Sequence, residues 1–378
     1  MYSRLFSPVQ NQSYFLFGPR GTGKTSFLLN YYPTSAYIDL LEDEIYNRLL
    51  AHPSDLLNYV EVEKLKYPIV IDEIQKIPEL LDEVHRLIER KKLTFVLTGS
   101  SSRKLKQSGA NLLAGRAFSY SLFPLTALEL KEDFDIKKSL HYGHLPMAIN
   151  SKHPQKFLES YAKTYLKEEI QLEGLTRNIQ AFARFLEAAS FSQGGQLVLS
   201  KIASDCSVHR KVVEDYFYIL QDLLLSIELP IFTKRAKREL IAKRKFYFFD
   251  VGVYRTFRPK GPLDSDEEIN GLALETLIVQ EVRAINCYLE WGYEMYYWRT
   301  KKKEEVDLIL YGKRGLRAIE IKSSAKIRSS DLKSLLLFAE DYPEANLYCI
   351  YGGTRETIMD GVKLIPANLF LSKIESML

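Results

Sequence analysis

The sequence predicts an α/β protein: a parallel-sheet domain first, then a helical region, then a second, smaller α/β domain. Three observations predict it. Over the first third, short apolar runs at residues 14–17, 36–40, 69–71 and 95–97, with a weaker one at 118–123, alternate with amphipathic helical stretches such as 24–31 and 80–90. From 154 to 225 the apolar spacing is helical, with turns at Gly174 and Gly194-Gly195. From about residue 270 the order is helix, strand, strand, helix, strand.

A chain of 378 residues exceeds one small core and implies several domains. With 46% apolar and 26% charged residues nothing forces disorder, and a net charge of +4 is too small to identify an anionic partner. Cys206, Cys287 and Cys349 lie far apart without CxxC spacing and read as reduced thiols. The six histidines form no HxxxH or HExxH pattern, so no zinc site is expected. The opening Met1-Tyr2-Ser3-Arg4-Leu5-Phe6 meets Pro8 too soon for a signal peptide. No apolar run reaches the about 18 residues that span a membrane; the best candidate, 223–232, is broken by Glu228 and Pro230. A cytoplasmic protein without a membrane partner is expected.

The sharpest local signal is Gly18-Pro19-Arg20-Gly21-Thr22-Gly23-Lys24-Thr25, a full GxxxxGK[ST] match lying between an apolar run and a helix that continues through Ser26. Glycines let successive N–H groups turn towards one anion, and the helix N-terminus adds its partial positive charge. ATP with Mg2+ is the expected ligand, with Lys24 at the β- and γ-phosphates and Thr25 on the metal. The apolar run at 68–71 ends in Asp72 and Glu73, which suits a carboxylate holding Mg2+ and a neighbour that polarises water. The run at 94–97 ends in Thr98-Gly99-Ser100-Ser101, where Ser100 or Thr98 can sense the γ-phosphate or cap a helix. Arg116 follows the basic patch Arg103-Lys104-Leu105-Lys106 and Asn111; it suits an arginine finger, in cis or on a neighbouring subunit, or a structural ion pair.

Residues 199–206 read as a short helix, Ser207-Val208 as a turn with Ser207 as N-cap, and 209–225 as a second helix: a winged-helix pattern with wing strands at 226–228 and 246–249. Arg210 and Lys211 open the second helix, although Glu214 and Asp215 would repel phosphates. Between the wing strands, residues 234–245 carry seven cations, among them Lys234, Arg235, Lys237 and Arg238, and one acid. Such a loop suits DNA phosphate contacts, or else it is solvated and the module binds protein.

In the tail, Glu275 lies on a helix over 271–283, Asp307 on the strand 305–310, and Glu320 and Lys322 two apart on the strand 318–322. This set resembles the PD-(D/E)xK nuclease core. In that chemistry Asp307 and Glu320 bind Mg2+ and Lys322 acts on water; the alternative is a cross-strand ion pair.

The strings GPRGTGKT, PIVIDEIQ, LTGSS and LLAGR, with HYGHLP, SYAKTYLKEEI, KFYFFDVG and AIEIKSS, together resemble the bacterial and archaeal AAA-like (ASCE P-loop) ATPases that carry a C-terminal domain of unknown function. The resemblance covers nearly the whole sequence and implies an ATPase core; His144 departs from it where a second glycine of GGxP is expected. The expected organisation is a P-loop domain over 1–130, a helical linker region over 131–175 with a boundary loop at 141–146, a winged helix over 176–260 and a restriction-endonuclease-like domain over 261–378. Three functions compete. One is an ATPase whose nucleotide state controls a DNA- or partner-binding module. The others are an ATP-gated nuclease and a non-hydrolytic switch that makes a protein contact.

Overall fold

The computed structural model describes residues 2–59, 67–100, 105, 112–165, 178–234, 243–262 and 264–378. The chain forms two compact units. One comprises Phe6–Pro124 and Ile219–Leu224; the other takes the first five residues, Leu125–Tyr218 and Leu225–Leu378.

The smaller unit holds a five-stranded sheet of β1 (Ser13–Phe17), β2 (Tyr37–Asp39), β3 (Ile69–Asp72), β4 (Phe95–Gly99) and β5 (Ala117–Ser121). Every pairing is parallel and the order is β2-β3-β4-β1-β5. Parallel strands covered on both faces must be apolar throughout, and β1, β3 and β4 are buried at every residue. Helices α1 (Lys24–Tyr31), α2 (Asp43–Ala51) and α3 (Leu80–Lys91) follow β1, β2 and β3. In α3, Leu80, Val84 and Leu87 form the buried stripe, while Asp82 and Glu83 near its start and Arg90 and Lys91 at its end complement the helix dipole. Because β4 lies between β1 and β3, the C-terminal ends of all three meet at one sheet edge, where open parallel sheets bind ligands.

The larger unit begins with α4 (Ala127–Leu130), α5 (Ile136–Tyr142), α6 (Pro146–Asn150) and α7 (Pro154–Ser160). The stretch 141–146, expected at a domain boundary, instead joins α5 to α6 inside this unit. There follow α8 (Ile179–Ser190), α9 (Leu199–Cys206) and α10 (Arg210–Asp222), the last of which belongs to this unit up to Tyr218. A small antiparallel sheet of β6 (Gly195–Gln196), β7 (Ser226–Leu229) and β8 (Lys245–Phe248) has the order β6-β8-β7. Ring contacts of Phe182 and Phe185 with Tyr216, and of Phe217 with Phe185 and Phe246, join these elements. Ser207 does not cap α10; at φ 55° it is the left-handed C-cap of α9, a backbone state that ends a helix. The second helix also stops at Asp222, short of 225, and Leu224 has φ 58°.

The remainder is α11 (Val251–Phe257), α12 (Asp266–Tyr288), β9 (Glu294–Arg299), β10 (Glu305–Gly312), β11 (Gly315–Lys322), α13 (Lys333–Asp341), β12 (Asn346–Tyr351), β13 (Thr357–Met359), β14 (Val362–Pro366) and α14 (Ala367–Met377). The sheet order is β13-β14-β12-β11-β10-β9. Strands β9, β10 and β11 form an antiparallel meander, and β11, β12 and β14 are parallel. The helix α12 is longer than the expected 271–283 because Ser265 caps it, accepting from the Glu268 amide, and three acids occupy its first turn. Its centre is buried on every side, as a core helix must be. No helix among the described residues is long and apolar enough to cross a membrane.

Candidate functional site

The Gly18–Thr25 loop runs from the end of β1 to the first residues of α1. Gly21 and Gly23 have φ of 82° and 89°, left-handed values that side chains resist. Gly18 is tight for a different reason: a Cβ there would lie 2.4 Å from the Leu122 carbonyl oxygen. Thr22 closes the turn, its hydroxyl donating to Pro19 O over 2.8 Å. Pro19 is buried and Arg20 exposed. The Lys24 ammonium is buried against its own loop, donating to Gly18 O at 2.7 Å and Pro19 O at 3.4 Å. Thr25 and Ser26 are exposed at the first turn of α1.

Asp72, 3% exposed, is the polar hub of this edge. Its Oδ2 accepts from the Thr25 hydroxyl at 2.8 Å and from the Tyr37 hydroxyl, and its Oδ1 accepts from Thr98. Burial, then the neighbouring Asp72 carboxylate, pushes the Tyr37 phenol pKa up, so it stays a donor. Glu73 has φ 60°, and its amide donates to Thr98 Oγ1 at 3.3 Å. Gln75 donates to the Glu73 carboxylate and, over 3.4 Å, to Ser100 Oγ. The two expected sensors therefore divide: Thr98 touches Asp72, while Ser100 reaches Glu73 through Gln75. Sequence reasoning missed Tyr37 and Gln75. A tyrosine opening a strand beside the Asp72 strand, and an amide two residues after Glu73, were the available signals.

The residues fit a phosphate chain with a divalent ion. The left-handed glycines and the cramped Gly18 form a cradle that a Cβ would fill. The hydroxyl–carboxylate pair Thr25–Asp72 is the donor set that a hard cation prefers.

Arg116 forms an ion pair with Glu89, both about half exposed, and this pair lowers the Glu89 pKa. Arg103, Lys104, Lys106 and Asn111 lie outside the described residues.

Of the expected DNA contacts, Arg235, Lys237 and Arg238 lie outside the described residues. Arg210 pairs with Glu214 on its own helix at 3.0 Å, and Lys211 is exposed beside it. Lys234 donates to Glu294 at 2.6 Å and lies over the Tyr311 ring. Lys245, the last cation of the basic stretch, is the first residue of β8 and 1% exposed.

Lys245 belongs to the tail's carboxylates. Its Nζ lies 2.6 Å from Glu275 Oε1, 2.8 Å from Glu305 Oε1 and 3.0 Å from Asp307 Oδ1. Tyr247, two residues along the strand and so on the same face, donates to Glu275 Oε1 at 2.6 Å. Asp307 Oδ2 accepts from the Ile321 amide at 3.0 Å, which sets it beside Glu320 and Lys322. Lys322 donates to Glu320 Oε1 at 2.6 Å, while buried Glu320 Oε2 has no hydrogen-bond partner among the described residues. Burial pushes Glu275 up to about 7 and Glu320 well above the usual carboxylate range. All four expected tail residues thus lie in one neighbourhood, with Lys245 and Glu305 as unforeseen members. Among the described residues no group of three or more His, Cys, Asp or Glu side chains is arranged to hold a metal ion.

The strings HYGHLP and KFYFFDVG also meet. Asp250 accepts from the amides of His144, Gly252 and Val253 at 2.7, 2.9 and 3.2 Å. Gly143 is at φ 64°, and a Cβ on it would strike the Asp250 carboxylate at 2.1 Å. His144 does what a glycine there could not: its ring joins Glu281 Oε1 at 2.9 Å and Ser139 Oγ at 2.8 Å.

The sheet order, the Gly18–Thr25 loop and the Asp72 hub define an AAA-type, nucleotide-binding P-loop ATPase domain. Comparison with known proteins agrees: residues 10–131 match the family model described as AAA domain. Residues 133–264 and 270–370 match two families described as domains of unknown function, DUF8612 and DUF4143. An uncharacterized protein of Mycobacterium tuberculosis is 25% identical over 94% of this chain and 80% of its own length. Another from Methanocaldococcus jannaschii is 24% identical over 80% of this chain and 73% of its own length. The structure of the Aeropyrum pernix ORC1 protein in complex with DNA is 13% identical with a TM-score of 0.25, covering 65% of this chain and 86% of that one.

Proposed function

We propose that the chain is a Mg2+-dependent, ATP-hydrolysing AAA-like ATPase whose nucleotide state controls a C-terminal DNA- or partner-binding module. The observation that carries this reading is the Thr25 hydroxyl on the Asp72 carboxylate, with Glu73 next in sequence at the same sheet edge. In this reading the loop amides of residues 18–24 and the Lys24 ammonium bind the phosphates, and Thr25 and Asp72 hold the metal. Bound Mg2+ supplies charge neutralisation at the phosphate oxygens. Glu73 orients water and accepts its proton, held in place by Gln75. Thr98 and Ser100 connect this edge to Asp72 and Gln75, and so report whether a terminal phosphate is present.

The test is ATP binding by wild type and Lys24→Ala. The reading expects binding to fall by about a hundredfold or more on losing the ammonium; undiminished affinity in Lys24→Ala would sink it.

For the module, helices α8–α10 with the sheet β6-β8-β7 support a winged helix. The succession α12, β9–β11, α13, β12, with Glu275, Asp307, Glu320 and Lys322 in one neighbourhood, favours a second reading, an ATP-gated PD-(D/E)xK-type nuclease. Mg2+-dependent cleavage of DNA that Asp307→Ala abolishes is its expected result. Intact substrate, single- or double-stranded and with or without ATP, would leave the binding module.

A further inference from the structure

The most unusual charged group in the larger unit is Lys245. It opens an apolar strand, yet its ammonium is 1% exposed and lies within 3.0 Å of carboxylate oxygens on Glu275, Glu305 and Asp307. Three acceptors from α12 and β10 match the three N–H donors of one ammonium. A largely buried carboxylate cluster needs cations, because unpaired charges in a protein interior are among the costliest arrangements; Arg299 meets the other oxygen of Glu305, and Lys245 faces all three carboxylates. A divalent metal meets that need in phosphate-cleaving sites; here a side chain meets it. The neighbouring carboxylate is arranged differently. Glu320 gives one oxygen to Lys322, and its buried Oε2 has no hydrogen-bond partner among the described residues.

We propose that Lys245 is a tethered cation plug, its ammonium standing among Glu275, Glu305 and Asp307 where a nuclease-like site takes a divalent metal. The inference rests on the second reading of the tail and adds its regulation. In the arrangement described, the cluster is closed to metal. It opens only when the Lys245 ammonium is withdrawn. Lys322, 35% exposed and paired with Glu320, remains in place for chemistry at phosphate once a metal enters.

The experiment is Mn2+ binding to the full chain without nucleotide, read by electron paramagnetic resonance, for wild type, Asp307→Asn, Lys245→Met and Lys245→Met/Asp307→Asn. Methionine keeps much of the lysine stem and removes the charge. The plug predicts that Lys245→Met gains a Mn2+ site that wild type lacks, and that adding Asp307→Asn removes it. It is overturned if wild type already binds Mn2+ at a site that Asp307→Asn abolishes, or if folded Lys245→Met gains none. Should Lys245→Met fail to fold, wild type with Asp307→Asn decides alone: a wild-type Mn2+ signal that Asp307→Asn leaves unchanged supports the plug, and one it removes overturns it. DNA cleavage by Lys245→Met is a separate readout. A variant that gains metal without cleaving keeps the plug and ends the nuclease reading.

Discussion

The Thr25 hydroxyl donates to Oδ2 of Asp72 over 2.8 Å, linking the P-loop helix to the end of the third strand. Two residues 47 positions apart are thereby held as one donor pair. Asp72→Asn should keep the sheet intact, because its buried neighbours are unchanged. It should weaken Mg2+-ATP binding by about 10–100-fold while sparing metal-free ATP binding. Titration of ATP with and without Mg2+ checks this; equal losses in both conditions would place Asp72 outside the metal site.

Gln75 joins the Glu73 carboxylate to Ser100. Gln75→Ala should therefore reduce turnover by about tenfold or more with ATP affinity nearly unchanged. A change in affinity alone would make Gln75 a packing residue rather than one that positions Glu73.

Arg116 is occupied by Glu89 in an exposed pair. Exposed ion pairs contribute about 0–1 kcal/mol, so Arg116→Ala should leave folding stability unchanged within that range. Turnover measured across protein concentration separates the two roles left open for this arginine. A constant ratio to wild type is expected; a deficit that grows with concentration would identify an arginine finger supplied by a second subunit.

His144 and Glu281 are a fully buried pair, flanked by Ser139, Asp250 and the Glu129 carboxylate. Burial lowers the imidazole pKa, but Glu281 and then Asp250 together more than offset this and the value ends above 6.5. A histidine raised on folding stabilises most below its unfolded pKa, and loses that contribution as pH rises through the folded one. Glu281, raised by burial, shifts in the same direction. Denaturant unfolding of wild type against His144→Gln should thus show a gap that narrows from about pH 6 to about pH 8. At the acid end, breaking the buried pair should cost about 3–5 kcal/mol. A gap that widens with pH would contradict the assignment.

The nucleotide site was legible because its parts are local. Gly18–Thr25 is one continuous turn, and Asp72 and Glu73 end an unbroken apolar run. Tyr37 and Gln75 were not legible, because their roles depend on strand neighbours and on a turn rather than on spacing. Lys245 follows six other cations in sequence, which masks its inward-facing role. Its burial is decided by Glu275, Glu305 and Asp307, 30 to 62 positions downstream. Only the alternation of Lys245 and Tyr247 on one face of an otherwise apolar strand hinted at polar partners inside. Ser207 misled for a physical reason: serine suits an N-cap, but the chain first needed a left-handed residue to end α9.

In the proposed hydrolytic ATP site, Glu73 is the group that activates water. Single-turnover ATP hydrolysis in Mg2+ by Glu73→Gln, with binding measured on the same preparation, tests it most directly. Wild-type affinity with a rate lowered by about 10²–10⁴-fold is the expected result. Hydrolysis at the wild-type rate would remove Glu73 from the mechanism, and a wild-type protein that binds ATP without turning it over would leave a switch in place of an ATPase.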